Sequence, residues 1–169
     1  MAFNVSVLGF AAYSGTGKTT LLVKLIPLLK DQGIRVALIK HAHHDFDIDI
    51  PGKDSYRLRK AGADQVLVAS DQRCALIKEM ASSTGPQLDV LINDLDLEIV
   101  ELVLVEGFRH VPFPKIELHR PSSGTELIFP NDSNVIAVAS DDIIDTGELP
   151  LLDINKPGDI AMFIREWMS

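Results

Sequence analysis

Lys18 and Thr19, set directly behind Gly15-Thr16-Gly17 in the stretch Ala12-Tyr13-Ser14-Gly15-Thr16-Gly17-Lys18-Thr19-Thr20, have the types and spacing of a phosphate-binding loop. Backbone N–H groups from Ser14 to Thr20 can wrap an anion there, and a helix starting beyond the loop adds partial positive charge at its N-terminus. The Lys18 ammonium would reach the β- and γ-phosphates of a nucleoside triphosphate, and the Thr19 hydroxyl would ligate the accompanying Mg²⁺. Ala12 stands where the G-x-x-x-x-G-K-[ST] pattern has its first glycine, but Gly15 and Gly17 keep the tight part of the loop. A dinucleotide fingerprint is excluded, because its third glycine would fall at Thr20.

A second group with matching chemistry is Glu106, at the end of the apolar run Val100-Glu101-Leu102-Val103-Leu104-Val105-Glu106-Gly107-Phe108. In phosphate-loop proteins an acidic residue at the end of the strand beside the first one holds Mg²⁺. Glu106 is also the candidate for polarising an attacking water, and sequence does not separate the two roles. Gly107 would let the backbone approach the phosphates closely. Asp141, after the apolar run Val135 to Ala139, could accept from N1–H and N2–H₂ of guanine, which adenine cannot satisfy. No Asn-Lys-x-Asp string precedes it, so GTP and ATP both stay open on chemistry alone.

The third unusual stretch runs from Lys40 and His41 through His43, His44, Asp45, Asp47 and Asp49 to Gly52, with Asp54 close behind. It leaves the carboxyl end of a strand, where open α/β sheets place ligands. A calcium loop opening at Asp45 would need glycine at position 50 and glutamate at position 56, where Ile50 and Tyr56 stand. The remaining readings are a transition-metal site, Asp45 helping to hold Mg²⁺, or a polar switch loop that contacts phosphate, metal or a partner.

The elements that must position these groups follow from periodicity. Val5 to Ala11 reads as a strand, and Leu21, Leu22, Leu25, Ile26 and Leu29 form the apolar stripe of a helix that Pro27 kinks or ends and Gly33 caps. Val36 to Ile39 suits a strand buried on both faces, completing a right-handed β-α-β unit. Ser55 to Ala61 reads as a basic helix closed by Gly62, its charge a solvated face or an acidic-ligand site. Val66 to Ala69 and Cys74 to Ile77 read as strands, Leu88 to Leu97 as a crossover helix, Val135 to Ala139 as the last core strand and Gly158 to Met168 as the closing helix. Ile116 to His119 alternates like a strand exposed on one face. The strands around residues 72–80 and 115–129 exceed a minimal phosphate-loop core, as a hairpin, a dimer surface or a decoration. Together these predict an α/β, three-layer P-loop NTPase-type fold over residues 1–169, with a mostly parallel sheet, helices on both faces and an extra β insertion.

Composition narrows the partners. A net charge of -8 argues against a nucleic-acid face or an anionic-membrane anchor. Cys74 is the single cysteine, expected to be a small buried apolar residue, so no intramolecular disulfide forms. With no basic leader and no apolar run of spanning length, the expected location is the cytoplasm.

Phe10 to Thr20, Ile39-Lys40-His41-Ala42-His43-His44-Asp45, Pro51-Gly52-Lys53-Asp54-Ser55 and Leu104-Val105-Glu106-Gly107-Phe108 together resemble the MobB family of molybdopterin-guanine dinucleotide biosynthesis adaptor proteins. The likeness extends through Ala137-Val138-Ala139-Ser140-Asp141 and Leu151-Leu152-Asp153-Ile154-Asn155. That family's loop also carries alanine at the position of Ala12. The resemblance implies a homodimeric GTP-binding protein with weak Mg²⁺-dependent GTPase activity. Its partner would be a MobA-type guanylyltransferase, which attaches GMP to molybdopterin and to which the nucleotidyl transfer itself would belong. Molybdopterin itself is a further possible ligand. Two rivals stay open: a small-molecule kinase with Asp45 or Asp54 as base, and a nucleotide-stabilised scaffold without useful turnover.

Overall fold

The computed structural model describes residues 3–42, 47–80 and 85–169. In chain order the elements are β1 (Ser6–Ala11), α1 (Lys18–Asp31), β2 (Val36–Lys40), α2 (Asp54–Lys60), β3 (Gln65–Ala69), β4 (Cys74–Lys78), α3 (Leu88–Asn93), β5 (Leu102–Glu106), β6 (Lys115–His119), β7 (Val135–Ser140), β8 (Leu151–Asp153) and α4 (Pro157–Met168). They form two compact units, Met1–His41 with Leu88–Ser169, and Ala42–Gln87.

The first unit is built on a six-stranded sheet in the order β2-β5-β1-β6-β7-β8. Every pairing in it is parallel. β1 and β5 are unbroken apolar runs because both their faces are covered. Leu8, Phe10, Leu102 and Leu104 pack on one face with the leucines of α1 and with Ile160 and Ile164 of α4. Val7, Val103 and Val105 turn to the other face, where Leu88 and Ile92 of α3 meet them. The α/β three-layer fold expected from the sequence is therefore the one observed. All six carboxyl ends share one edge of the sheet. The connection from β1 leaves toward β2 and that from β6 toward β7, so a crevice opens at that edge between β1 and β6, where such sheets bind ligands.

Five expectations for the first unit are corrected. Helix α1 does not end at Pro27 but continues to Asp31, since Pro27 lies on the exposed side where the carbonyl it frees, that of exposed Val23, faces water. Its end is a Schellman turn, with Gly33 N–H donating to Lys30 O at 2.9 Å and Ile34 N–H to Leu29 O at 3.1 Å. Strand β2 is an edge strand with Leu38 exposed, not a strand buried on both faces. Val135 to Ala139 is not the last strand, because β8 pairs beyond it. The crossover helix is shorter than Leu88 to Leu97, ending at Asn93.

The fifth correction concerns residues 115–129. Strand β6 is not an added strand exposed on one face; it lies between β1 and β7 with all five residues buried. Its polar side faces the segment after it: Lys115 Nζ donates to Asp132 Oδ2 at 3.0 Å, and the Glu117 carboxylate accepts from the N–H groups of Ile128 and Phe129 at 2.8 Å each. Alternation reports a polar layer, and here that layer is protein, not water.

In the second unit, β3 and β4 form a two-stranded antiparallel sheet with Leu67 opposite Leu76. Both are exposed, and Cys74 is exposed as well, contrary to the expectation of burial. Helix α2 ends at Gly62, as its sequence predicts, with Gly62 N–H donating to Arg59 O at 2.9 Å. Its basic face is not simply solvated. Arg59 is buried and bonds Asp49 at 2.7 Å and Glu79 at 2.8 Å, and also Asp47.

Candidate functional site

The loop between β1 and α1 needs two glycines in the left-handed region, and it has them: φ is 82° at Gly15 and 102° at Gly17. Thr16 is buried inside the loop, its hydroxyl donating to Tyr13 O at 2.8 Å. Ser14, Gly15, Thr19 and Thr20 are exposed along its rim. The Lys18 ammonium lies over the loop, donating to Ala12 O at 3.2 Å and Tyr13 O at 3.5 Å. The first N–H groups of α1 have no intrahelical acceptor, so they add donors beside that positive charge. The first helical bond runs from Leu21 N–H to Gly17 O.

One strand away, Glu106 pairs in register with Phe10, two residues before Ala12 and the loop. Its side chain is 14% exposed, and Lys40, its register partner on β2, brings Nζ to 3.6 Å from Oε2. His41 donates its backbone N–H to Glu106 O at 2.8 Å and stacks its ring on Phe108 with centroids 4.7 Å apart. Gly107, at φ 100°, is demanded by this packing, since a Cβ there would stand 2.6 Å from His41 Cβ. The turn after β5 thus carries a second left-handed residue, Phe108 at φ 53°, a rare conformation for a bulky side chain.

On the opposite side, β6 delivers Arg120, which sequence reasoning did not single out. Its Nε donates to Thr16 O at 3.0 Å and its Nη1 pairs with Asp141. Asp141, placed after β7, is therefore held by a guanidinium that also braces the phosphate loop. The signal for Arg120 is topological: only a strand adjacent to β1 can bring a side chain to that crevice, and the sequence pattern of β6 reads as an addition outside the core sheet. Tyr13 receives Arg109 over its ring at 5.9 Å. Beneath this edge, burial pushes the Glu117 carboxyl above its ordinary range, opposed by the two N–H donors and by His119. Burial also works against Asp132, but hydrogen bonds from Asn134 and Lys115 hold it below the ordinary range.

The first unit thus brings together Ser14 to Thr20, Glu106, Lys40, His41 and Asp141 at one sheet edge. Asp54 lies in the second unit, exposed in the first turn of α2. His43, His44 and Asp45 lie outside the described residues. Among the described residues no group of three or more His, Cys, Asp or Glu side chains has the arrangement of a metal site. A nucleotide-bound Mg²⁺ does not need one, since one or two hard oxygen ligands plus phosphates suffice, and the Thr19 hydroxyl and Glu106 carboxylate are of that chemistry. No described helix is long and apolar enough to cross a membrane.

Residues 7–141 match the family model described as molybdopterin guanine dinucleotide synthesis protein B. The chain is 52% identical over 168 residues to the molybdopterin-guanine dinucleotide biosynthesis adapter protein of Escherichia coli K12, covering 98% of this chain and 94% of that protein. It is 44% identical over 164 residues to the protein of the same name from Haemophilus influenzae, covering 97% and 90%. A crystal structure of molybdopterin-guanine biosynthesis protein B superimposes with a TM-score of 0.74 at 26% identity, over 95% of this chain and 99% of that one.

Proposed function

This chain belongs to the MobB family of molybdopterin guanine dinucleotide synthesis proteins, and from that premise we propose that it is an adapter that binds GTP with Mg²⁺, hydrolyses it weakly and serves a MobA-type guanylyltransferase. The observation that carries the reading is the register of Glu106 against Phe10, which sets one carboxylate beside a loop bearing the Lys18 ammonium. In this reading the N–H groups from Gly15 to Thr20 and Lys18 hold the phosphates, while Thr19 and Glu106 hold the metal, whose charge would offset that of the phosphates. Glu106 also orients the attacking water, and Lys40, with Nζ 3.6 Å from Oε2, holds its carboxylate in place. Lys40 and His41 contact Glu106 and Phe108 at the turn after β5, and the residues that follow them in sequence, His43, His44, Asp45 and Asp54, would carry the nucleotide state to a partner.

A homodimer, cytoplasmic location and the handling of molybdopterin belong to the same proposal. Support for the homodimer comes from the β3–β4 sheet, whose Leu67–Leu76 face is apolar and exposed; two strands alone are marginally stable in water. Calorimetry with GTP and ATP, each with and without Mg²⁺, tests the reading, followed by capture of the guanylyltransferase. Mg²⁺-dependent GTP binding is expected. Absence of triphosphate binding, or the same partner affinity with GTP as with GDP, overturns it.

A further inference from the structure

We infer that Arg120 reads the purine base, selecting a 6-keto purine such as guanine or hypoxanthine over adenine, from a pocket beside the phosphate loop. This rests on the triphosphate reading above and concerns the base of that same ligand. Gly17 and Lys24 border the pocket on the side of α1, Arg120 and Asn155 border it on the side of β6 and β8, and buried Leu21 and Ile154 floor it. An apolar floor under a polar rim suits a flat aromatic ring whose edge carries the polar atoms.

The guanidinium is held in one plane by two different partners. Its Nε donates to Thr16 O at 3.0 Å and its Nη1 pairs with Asp141. Its Nη2 has no hydrogen-bond partner among the described residues and lies 3.8 Å from where a Cβ on Gly17 would stand. A guanidinium offers donors only, so the unspent edge seeks acceptors. Guanine and hypoxanthine present O6 and N7 together, whereas adenine puts an amino donor beside N7. Asn155, whose side-chain amide makes no hydrogen bond among the described residues, lines the same pocket and can accept from N1–H. Asp141 becomes a positioning residue that acts through Arg120, in place of the direct guanine acceptor that the sequence suggested.

Titration calorimetry on the intact protein with Mg²⁺ and four nucleotides tests this: GTP, ITP, ATP and 2-aminopurine riboside triphosphate, which lacks O6. GTP and ITP should bind within a few-fold of each other, and the two without O6 about tenfold more weakly or worse. Arg120→Met should erase the base preference, bringing GTP and ITP to within about twofold of ATP whatever the variant does to triphosphate affinity as a whole. Asp141→Asn should weaken GTP and ITP by the same factor, whereas direct reading of N1–H and N2–H₂ by Asp141 would weaken GTP more than ITP. Should Arg120→Met fail to fold, the wild-type series and Asp141→Asn still decide. The inference is overturned if ITP falls to the ATP level, or if folded Arg120→Met keeps the GTP preference. In either case the triphosphate reading stands, since Lys18→Ala would still weaken all four about a hundredfold. Failure of every triphosphate to bind the wild type overturns both.

Discussion

At the scale of single residues, Lys18 and Glu106 do different work and their loss should be distinguishable. In the proposed reading Lys18→Ala removes a phosphate-facing charge without touching the core, so the melting temperature should hold while triphosphate affinity falls about a hundredfold, consistent with losing strong charge-assisted hydrogen bonds. Calorimetry beside a thermal melt reads both quantities. Glu106→Gln keeps the shape of the side chain but loses the charge that faces Lys40 and, in the proposed reading, Mg²⁺. Hydrolysis should drop at least tenfold more than nucleotide binding does, and equal losses would make Glu106 a binding residue only. Gly107 is constrained from two sides, by φ 100° and by the 2.6 Å approach to His41 Cβ. Gly107→Ala should cost about 1–3 kcal/mol of stability on denaturant titration and displace His41 from Phe108.

At the scale of elements, α2 and the residues before it are joined by one buried arginine. Arg59 lowers the pKa of Asp49 through its hydrogen bonds, with burial opposing and its positive charge assisting, and its own pKa is raised by Asp49, Glu79 and Asp47. A carboxyl depressed in the folded state contributes stability above its unfolded pKa, ordinarily 3.8, and loses it as pH falls through the folded value. Arg59→Met should therefore lower the stability of the Ala42–Gln87 unit at pH 7, because three carboxylates lose their shared cation. The gap to wild type should begin to narrow as pH falls below about 3.8 and close once pH is below the depressed folded value of Asp49; hydrogen exchange of this unit at pH 7 and along that acid range measures it. The basic run Arg57, Arg59 and Lys60 was visible in the sequence, but nothing local told which arginine turns inward. In α1, by contrast, the stripe named most of the core: Leu21, Leu22, Leu25 and Leu29 are buried, and Ile26 is half-buried against them.

At the scale of the whole molecule, the sheet order decides which loops meet. Because β6 lies directly beside β1, the residue after it can bond the phosphate loop, and the remote carboxylate at Asp141 is drawn into the same network. The second unit carries the other whole-molecule question, that of assembly. Leu67 is 64% exposed and Leu76 47%, directly opposite each other on one face of the β3–β4 pair. If a second copy covers that face, the double substitution Leu67→Glu and Leu76→Glu should yield monomers in sedimentation velocity at micromolar concentration, with nucleotide affinity unchanged. A dimer that survives the substitution would place the interface elsewhere.

The sequence by itself determined the strand–loop–helix that begins the fold, the acidic strand end at Glu106 and the family, because each depends on residue types at short spacing whose chemistry is local. The tertiary structure alone decided that β6 is a central strand with a buried polar layer, that β2 is an edge, that Gly107 answers to His41, and that Arg120 links Thr16 to Asp141. Those facts depend on which parallel strands become neighbours. Alternation along one strand shows that its faces differ in polarity; whether water or another segment meets the polar face depends on residues distant in sequence.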